Sequence, residues 1–502
     1  MSLQPPEATK TYVFESKMTV KGYSMKKRTK ILATIGPASD SLDMLVKLIL
    51  AGVNVFRLNF SHGTHEQHLL VLNRIREAMK QTGLIVGVLQ DISGPKIRIG
   101  ELRENFSLQE NDTITFTTKA VIGEQFSPNT YKVSINYPEI LQQLSVGDYI
   151  YLYDGIIRTK VIAVDEGEVK VNVENRGILS SKKGVNFPNT RLKVNVLTPK
   201  DKKDIAWGVE NGVDFMAISF VQSAQDIQNA RDIVQGLGGK QNLIAKIEKF
   251  DAIENIDAII EASDGLMVAR GDLGIEVPYY EVPNIQKMLI SKANEASIPV
   301  ITATQMLLSM TKNERATRAE ISDIANAVMD GTDAVMLSEE SAVGAHPVLA
   351  VKTMFETIRE TEKLYKYYRY EGYANQDSGD TISESAVRLA DELNTKGVFA
   401  ITSSGASARK LARYKPKKTI YAITHDNQVR GQMSLVWGVI PLMSVKKESL
   451  EKILNSFMSR GLQEGSIKKE NSYILTAGDP IGKAGSTNMI RVISSEDMQE
   501  YN

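Results

Sequence analysis

The sequence feature that most constrains the fold is a repeated alternation of short apolar runs with amphipathic stretches. Eight apolar runs lie in the first two thirds of the chain, at residues 30–36, 54–61, 85–93, 215–221, 243–249, 265–273, 299–307 and 334–341. Apolar strands that alternate with helices are typical of a parallel sheet covered by helices. Eight such units over about this length predict a (β/α)₈ TIM barrel.

The stretch 317–331 illustrates the helical half of this repeat. Its apolar residues at 321, 324, 325 and 328 form the stripe of an amphipathic helix. Thr317 and Glu320 have the spacing of a capping box, and Gly331 is a typical C-terminal stop. We therefore expect a helix that covers the barrel here.

The alternation stops after the third run. Residues 96–193 contain strand-like segments, and in the segment 168–173 valines alternate with polar residues. This pattern predicts a half-buried antiparallel strand, and no convincing helix can be read in the region. We expect an all-β lid domain over 96–193, inserted into a barrel that comprises 28–95 and 194–365, on the side where active sites form.

A second α/β unit is predicted after the barrel. Strands are expected at 397–405, 419–426, 473–478 and 489–494, with a helix at 407–414. We expect a C-terminal α/β domain over 366–502 and treat 1–27 as an N-terminal extension.

Charge and composition argue against several classes of partner, although a local basic pocket is compatible with them. Lys and Arg together number 60, as do Asp and Glu, so the formal net charge is zero. Proteins that bind nucleic acid or anionic membranes usually carry a basic excess, and no run is long and apolar enough to span a bilayer. The absence of cysteine excludes disulfides and thiolate metal sites and fits a reducing compartment. We expect a cytoplasmic enzyme with no nucleic-acid or membrane partner.

Polar residues close nearly every predicted barrel strand, where active sites of such barrels form. One ion pair at a strand end would usually be structural, but polar and charged residues at several strand ends together favour a functional site. The residues are Thr34, Arg57, Asn59, Ser61, Asp91, Lys246, Glu248, Arg270, Asp272, Thr304, Ser338 and Glu340.

Two of these residues are carboxylates on adjacent predicted strands, Glu248 and Asp272. They can converge on one hard divalent cation, because Mg²⁺ typically takes one or two carboxylates and fills its other positions with water and substrate oxygens. Arg57, Lys246 and Arg270 add positive charge around this point. The combination favours a substrate with phosphate or carboxylate groups.

Several motifs together resemble the pyruvate kinase family over about residues 28–500. They are ILATIGPAS, RLNFSHG, KIEKFDA, VARGDLG, ITATQML and MDGTDAVMLSEES. The resemblance implies a barrel with a β lid and a C-terminal regulatory domain, Mg²⁺-dependent phosphoryl transfer from phosphoenolpyruvate to ADP giving pyruvate and ATP, and a homotetramer.

The resemblance also implies roles for individual residues. Catalysis falls to Lys246, Thr304 and Arg57, and phosphoenolpyruvate is held by these three with Gly271 and Asp272. Mg²⁺ or Mn²⁺ binds Glu248 and Asp272. ADP contacts Asn59, His62, Arg98 and Lys183, and a monovalent cation would bind Asn59, Ser61, Asp91 and the carbonyl of Ile92.

One motif departs from the common family pattern. Residues 91–98 read DISGPKIR, where many members have DTKGPEIR, so that Lys96 replaces a glutamate. Members with this lysine resemble a potassium-independent subgroup, since a tethered ammonium supplies the charge of K⁺. The alternative is a solvated lysine beside a proline turn, with K⁺ still bound.

The segment 402–409, TSSGASAR, is predicted to open a helix after a strand. Thr402, Ser404 and Ser407 with the helix N-terminal amides suit a phosphate group, and the resemblance implies a phosphorylated effector here. The partner loop 477–488 lacks the Trp and Arg of fructose-1,6-bisphosphate-regulated relatives and offers Lys483 as its cation. Two alternatives remain: this loop binds a sugar phosphate or a nucleoside monophosphate as an effector, or it binds no effector.

Two other functions remain open at this point. Another Mg²⁺-dependent barrel enzyme, such as a 2-oxoacid aldolase, would use the same carboxylates and arginine but needs no lid and no ADP. A degenerate kinase retained as a metabolite sensor would bind the same ligands without turnover. A coupled assay for ATP formation distinguishes the kinase from the aldolase, and the presence of Lys246, Glu248, Asp272 and Thr304 argues against the sensor.

Overall fold

A computed structural model describes residues 27–192, 194–369, 373, 377–443, 449–463, 467–479 and 487–501. The first elements of the described residues are three parallel strands, β1 (Lys30–Thr34), β2 (Val55–Asn59) and β3 (Gly87–Asp91), joined by helices α1 (Leu42–Ala51) and α2 (His65–Thr82). Ser41 caps α1, and Thr64 with Gln67 forms a capping box on α2. These caps satisfy first-turn amides that would otherwise lack partners.

An all-β lid domain follows β3, as predicted. Its strands are β4 (Phe106–Leu108), β5 (Thr113–Thr117), β6 (Glu124–Ser127), β7 (Thr130–Ser134), β8 (Tyr149–Leu152), β9 (Ile157–Asp165), β10 (Glu168–Val173), β11 (Gly177–Leu179) and β12 (Val185–Asn186). Among its described residues, seven strands form one sheet in the order β12-β8-β9-β10-β5-β7-β6, and β11 pairs with β4. The predicted antiparallel strand is β10, which pairs with β9 and buries Val169 and Val171 in the lid core.

The chain then returns to complete the barrel with five more parallel strands. These are β13 (Phe215–Ile218), β14 (Asn242–Ile247), β15 (Gly265–Ala269), β16 (Val300–Ala303) and β17 (Ala334–Leu337). Strand β17 pairs with β1, so eight described strands close the predicted (β/α)₈ barrel. The covering helices are α3 (Pro199–Glu210), α4 (Ala224–Gly236), α5 (Phe250–Glu254), α6 (Ile256–Ala262), α7 (Arg270–Glu276), α8 (Val282–Glu295), α9 (Arg318–Asp330), α10 (Glu339–Ala342) and α11 (Pro347–Thr361).

The helix predicted at 317–331 is confirmed as α9. Thr317 and Glu320 form the capping box, and Gly331 ends the helix with φ at 105°. The strand predicted over 265–273 is wrong in its second half, because β15 ends at Ala269 and the chain turns at once into α7. Asp272 therefore lies in the first turn of a short helix instead of on a strand.

The barrel interior is filled by apolar side chains. Leu32, Val55, Phe215 and Ile244 belong to this interior cluster, and Leu435 of the C-terminal domain joins it. Burial of this kind contributes about 25 cal/mol for each Å² of apolar surface removed from water. The packed interior leaves the polar strand ends as the place where a ligand can bind.

The C-terminal α/β domain contains helices α12 (Ser378–Glu392), α13 (Ala406–Arg413), α14 (Asn427–Gln432) and α15 (Leu450–Gln463), with strands β18 (Gly397–Ile401), β19 (Thr419–Thr424), β20 (Val439–Met443), β21 (Tyr473–Ala477) and β22 (Met489–Ile493). The sheet order is β20-β19-β18-β21-β22, and β22 alone among these described strands is antiparallel to its neighbour. Lys415 Nζ lies 3.3 Å from Asp333 Oδ1 at the foot of β17, which fastens the domain to the barrel.

No helix among the described residues combines the length and the apolar character that crossing a membrane requires.

Candidate active site

Four charged side chains form a continuous series at the open end of the barrel. Arg57 Nε lies 2.6 Å from Asp91 Oδ2, and Lys246 Nζ lies 3.1 Å from Asp91 Oδ1 and 2.9 Å from Glu248 Oε1. They come from the ends of β2, β3 and β14, which the barrel brings to one mouth. The structure thus brings together the two cations and the first metal carboxylate that the sequence predicted.

Burial makes this series electrostatically strong. Asp91, Lys246 and Glu248 are only 1%, 9% and 2% exposed. Burial alone favours neutral forms, but Asp91 and Glu248 overcome this at Lys246 and raise the pKa of its ammonium. Burial likewise opposes ionisation of Asp91, but Arg57 and Lys246 together hold the pKa of that carboxyl below its usual range. Both groups are charged at neutral pH.

Ser219, which sequence reasoning missed, ties this series to the neighbouring strand ends. Lys246 Nζ donates to Ser219 Oγ at 2.7 Å, and Ser219 Oγ donates to the carbonyl of Ile92 at 2.6 Å. Ser219 follows β13, which lies between β3 and β14 in the barrel. The hydroxyl therefore fixes the ammonium from a third direction.

Glu248 and Asp272 together offer a site for a hard divalent cation. The backbone N–H of Phe220 donates to Glu248 Oε2 at 2.7 Å, which orients the carboxylate. Burial and the charge of Asp272 raise the pKa of Glu248, whereas Lys246 opposes them. A cation between the two carboxylates would relieve this repulsion, and the side chain of Asp272 is 31% exposed, so substrate and water can approach.

The set of donors fits magnesium. The site consists of two carboxylates, Glu248 and Asp272, and among the described residues no group of three or more His, Cys, Asp or Glu is placed to hold a metal ion. Mg²⁺ suits such a site, because it usually keeps waters and binds through one or two carboxylates together with substrate oxygens.

Thr304 is held in a strained backbone conformation at the end of β16. Its φ is 70°, which is a rare value for a β-branched residue, and Gln305 follows with φ at 57°. The amide of Gly271 donates to Thr304 Oγ1 at 2.8 Å, and Arg270 Nη2 donates to the Thr304 carbonyl at 2.7 Å. The hydroxyl is thus fixed beside the first turn of α7, where Asp272 lies.

Arg270 does not take the role that the sequence suggested. Its Nη1 lies 2.7 Å from Asp323 Oδ1 and 3.3 Å from Gln286 Oε1, and its Nε donates to the carbonyl of Ala303. These partners engage the guanidinium, so Arg270 holds the strained turn at Thr304 and is not a free cation for the substrate.

The loop after β2 carries the residues predicted to meet the nucleotide. Asn59 Oδ1 accepts from the amide of Ser61 at 3.1 Å, and the carbonyl of His62 lies 2.9 Å from His68 Nε2. Ser61 and His62 are exposed at the mouth. The ring of Phe60 stacks on His68 with centroids 4.0 Å apart, which anchors the loop.

Lys200 and Asp204 also adjoin this loop, and sequence reasoning missed both. Lys200 Nζ donates to the carbonyl of Phe60 at 2.7 Å and lies 3.3 Å from Ser93 Oγ. Asp204 is 2% exposed and holds Lys200 Nζ at 2.6 Å and His65 Nε2 at 2.7 Å. The Lys200–Asp204 spacing of four residues at the start of α3 was the signal available in the sequence.

The two predicted nucleotide residues of the lid lie close together at its base. Arg98 pairs with Gly184 in an isolated antiparallel bridge, and its Nη1 donates to the Lys182 carbonyl at 3.0 Å. Lys183 Nζ lies 4.0 Å from the centroid of the Tyr153 ring. The lid thus presents two cations beside its hinges.

The predicted monovalent-cation residues lie around β3, and the predicted substitute Lys96 reaches the same barrel mouth from the start of the lid. Lys96 Nζ lies 3.9 Å from Asp272 Oδ1, on the divalent-metal side of the site. Both Asp91 oxygens meet Arg57 and Lys246, and the Ile92 carbonyl accepts from Ser219, as described above.

The predicted effector loop lies at the start of α13. Thr402 Oγ1 accepts from the amide of Gly405 at 2.9 Å, and Arg409 Nη1 donates to the Ser404 carbonyl at 3.1 Å. The hydroxyl of buried Ser407 meets that of Thr487 from the partner loop. Lys483 lies outside the described residues.

Comparison with known proteins agrees with this architecture. The family profile described as "Pyruvate kinase, barrel domain" matches residues 26–351, and "Pyruvate kinase, alpha/beta domain" matches residues 380–493. The chain belongs to the pyruvate kinase family. It is therefore a phosphotransferase of the pyruvate kinase class, and the lid and C-terminal domain argue against the aldolase alternative.

Individual relatives resemble the chain over nearly all of its length. A pyruvate kinase of Geobacillus stearothermophilus is 43% identical over 482 residues, covering 94% of this chain and 81% of the relative. One of Lactobacillus delbrueckii subsp. bulgaricus is 40% identical over 476 residues, covering 93% and 80%. The crystal structure of a pyruvate kinase from Cryptosporidium parvum superposes with a TM-score of 0.87 at 33% identity, covering 94% of this chain and 97% of that one.

Proposed function

We propose that the charged series at the barrel mouth transfers the phosphoryl group of phosphoenolpyruvate to ADP. The observation that carries this proposal is the contact series Arg57–Asp91–Lys246–Glu248, at one mouth beside the lid. Transfer of this kind depends mostly on positioning and on stabilisation of developing charge. Buried, paired cations provide such stabilisation without reorganising during the reaction.

Arg57 binds the phosphate of phosphoenolpyruvate, and Lys246 lies beside the group in transfer and the enolate oxygen that it leaves. Asp91 orients both cations, because its two oxygens meet one each. The arrangement keeps two positive charges at fixed positions where negative charge moves from one oxygen to another. Gly271, Asp272 and Thr304 define the end that holds the substrate carboxylate.

Glu248 and Asp272 hold Mg²⁺, or Mn²⁺ in its place. When bound, the ion neutralises phosphate charge and aligns phosphate oxygens for transfer. Glu248 is preorganised for this by the Phe220 amide, and Asp272 by its position in the first turn of α7.

Thr304 serves the proton transfer that turns the enolate into pyruvate. Its oxygen already accepts from the Gly271 amide, so its own hydrogen is free to be donated into the site. The strained backbone holds the hydroxyl there. As the hydroxyl passes its proton to the methylene carbon of the enolate, its oxygen takes a proton from water at the open mouth, so that pyruvate forms and Thr304 stays neutral.

The nucleotide binds between the β2 loop and the base of the lid. Asn59 and His62 meet it from the barrel, and Arg98 and Lys183 supply cations for the ADP phosphates from the lid. Lys200 adds an ammonium beside the Phe60 carbonyl. Closure of the lid would bring its cations, Arg98 and Lys183, and the barrel cation Lys200 to the phosphates of one ADP molecule.

The enzyme works without K⁺. Lys96 brings an ammonium within 3.9 Å of Asp272, and Arg57, Lys246 and Ser219 already engage the oxygens of Asp91 and Ile92. The charge that K⁺ would supply is thus provided by side chains of the protein.

A coupled assay for ATP formation, run in tetramethylammonium salts with and without K⁺, tests both parts. Robust activity with less than twofold K⁺ activation is expected. Absence of ATP formation would contradict the function, whereas large K⁺ activation would contradict only the role of Lys96.

The start of α13 binds a phosphorylated effector. Thr402, Ser404 and Ser407 gather there, next to Thr487 of the partner loop. Activity at subsaturating phosphoenolpyruvate should respond to a sugar phosphate or AMP, and a lack of response across a panel would contradict the effector site.

The chain assembles as a homotetramer, as the family resemblance implies. Light scattering of the purified protein tests this assembly.

A further inference from the structure

A buried ion pair lies directly behind the two carboxylates assigned to the metal. Lys249 Nζ is 3.4 Å from Glu276 Oε2, and their side chains are 9% and 4% exposed. A buried pair of this kind is usually no more stabilising than apolar residues of the same size, so stability alone does not explain it. Its position suggests another purpose.

Each member of the pair is attached to one metal carboxylate. Lys249 follows Glu248 in the chain, and Glu276 lies four residues after Asp272, one turn further along α7. Because helical residues at this spacing lie on the same face, Glu276 moves with Asp272. The ion pair therefore fixes the end of β14 against α7, and with them the separation of Glu248 and Asp272.

The same glutamate is bound by the lid. Asn186, in β12, donates from Nδ2 to Glu276 Oε1 at 3.3 Å. One residue earlier on α7, the side chain of Ile275 lies beside Gly155 of the lid and occupies the space that faces its Cα. Helix α7 thus carries both a metal carboxylate and the surface on which the lid rests.

A small cavity lies along this contact. Its volume is about 40 Å³, and its walls come from the lid and its hinges, including Asn186, Phe187 and Leu192, and from the barrel, including Lys249, Asp272 and Glu276. The lid therefore meets α7 through the Asn186–Glu276 hydrogen bond and through Ile275 beside Gly155, with the cavity next to them, so the position of the lid depends in part on that hydrogen bond.

We infer that Lys249, Glu276 and Asn186 are positioning residues that couple the position of the lid to the divalent-metal site. With the lid closed, Asn186 fixes Glu276, and Glu276 with Lys249 fixes the separation of Asp272 and Glu248. By reciprocity, a divalent ion on those carboxylates favours the closed lid. This inference rests on the proposed function, which takes Glu248 and Asp272 as the metal carboxylates.

The test uses Asn186→Ala in the full-length protein, because Asn186 is neither a metal carboxylate nor a proposed substrate ligand. Mn²⁺ affinity is measured by calorimetry, and amide hydrogen exchange of residues 185–187 is followed with and without Mn²⁺. We expect the Mn²⁺ dissociation constant to rise about five- to tenfold, the effect of losing one hydrogen bond of typical strength. Protection of the lid strand by Mn²⁺ should also be lost.

Two further variants sharpen the result. Glu276→Gln should weaken Mn²⁺ binding at least as much. Arg103→Gln is the control, because it removes an ion pair with Glu124 within the lid, and the two side chains are 70% and 44% exposed. Its Mn²⁺ affinity should stay within about twofold of the wild type, since exposed pairs contribute little.

Wild-type Mn²⁺ affinity and lid protection in Asn186→Ala would overturn the inference, even if its melting temperature fell. Glu248→Gln separates this outcome from failure of the proposed function. If Glu248→Gln leaves Mn²⁺ binding intact, the metal assignment itself is wrong. If it abolishes binding while Asn186→Ala changes nothing, only the coupling to the lid is wrong.

Discussion

Replacing Lys246 by methionine removes one positive charge and keeps a side chain of similar length. The ammonium contacts Glu248 at 2.9 Å, Asp91 at 3.1 Å and Ser219 at 2.7 Å. In the proposed reaction it also faces the oxygens on which charge develops. Loss of one preorganised donor to developing charge typically costs about 3–4 kcal/mol, which corresponds to roughly 10²–10³ in kcat.

The variant should keep its fold and its divalent-metal site. Asp91 retains Arg57, but buried Glu248 loses its cation, and breaking a buried pair costs about 3–5 kcal/mol of stability. A bound divalent ion on Glu248 should recover part of this loss. Lys246→Met is therefore expected to bind Mn²⁺ and to melt at a higher temperature with Mn²⁺ than without it.

The assay is coupled ATP formation at saturating phosphoenolpyruvate, ADP and Mg²⁺, with calorimetric Mn²⁺ binding as the check on the site. Lys203→Met is the matched control, since Lys203 is exposed on α3 and its loss should leave kcat within about twofold. A kcat for Lys246→Met within tenfold of the wild type, at normal Mn²⁺ affinity, would refute the assigned role.

Three further predictions follow from other contacts. Thr304→Ala should lower kcat about 10²-fold while Thr304→Ser retains most activity, because serine keeps the hydroxyl; equal kcat values in the two variants would contradict the proton role. Lys96→Met should lower activity in tetramethylammonium salts, and added K⁺ should restore part of it, whereas full activity without K⁺ would show that the ammonium is dispensable. Burial raises the pKa of Asp214 to about 7 despite its bond from the Val88 amide, so the folded chain keeps a proton that the unfolded chain loses at about pH 3.9. The contribution of this protonated carboxyl to the free energy of unfolding is present at low pH and is lost as pH rises to 7, by up to about 1.4 kcal/mol per pH unit. The melting temperature of Asp214→Asn should therefore rise relative to that of the wild type between pH 5 and 7. A constant difference between the two melting temperatures over this range would contradict the prediction.

The sequence predicted the architecture because the barrel depends on local periodicity. Each of the eight apolar runs overlaps one barrel strand, and α9 begins and ends at its expected caps. The error at 265–273 has a physical cause. Helix α7 has seven residues and no side-chain cap, so neither helical periodicity nor a capping signal marks it.

The charged residues of the site were predicted better than the groups that orient them. Lys246 and Glu248 are two residues apart, so strand geometry alone placed them together. Ser219, Lys200 and Asp204 come from segments beyond the inserted lid, and only the closed barrel brings them to the β3 end. The strain at Thr304 and the engagement of Arg270 are likewise tertiary effects that no local pattern records.

The most direct measurement is anomalous diffraction from crystals grown with Mn²⁺ and phosphoenolpyruvate. One Mn²⁺ peak is expected at about 2.1 Å from oxygens of both Glu248 and Asp272. The substrate phosphate should lie between it and the side chains of Arg57 and Lys246. A peak bound elsewhere, or a phosphate that contacts neither cation, would contradict the central claim that these four residues form a single phosphoryl-transfer site.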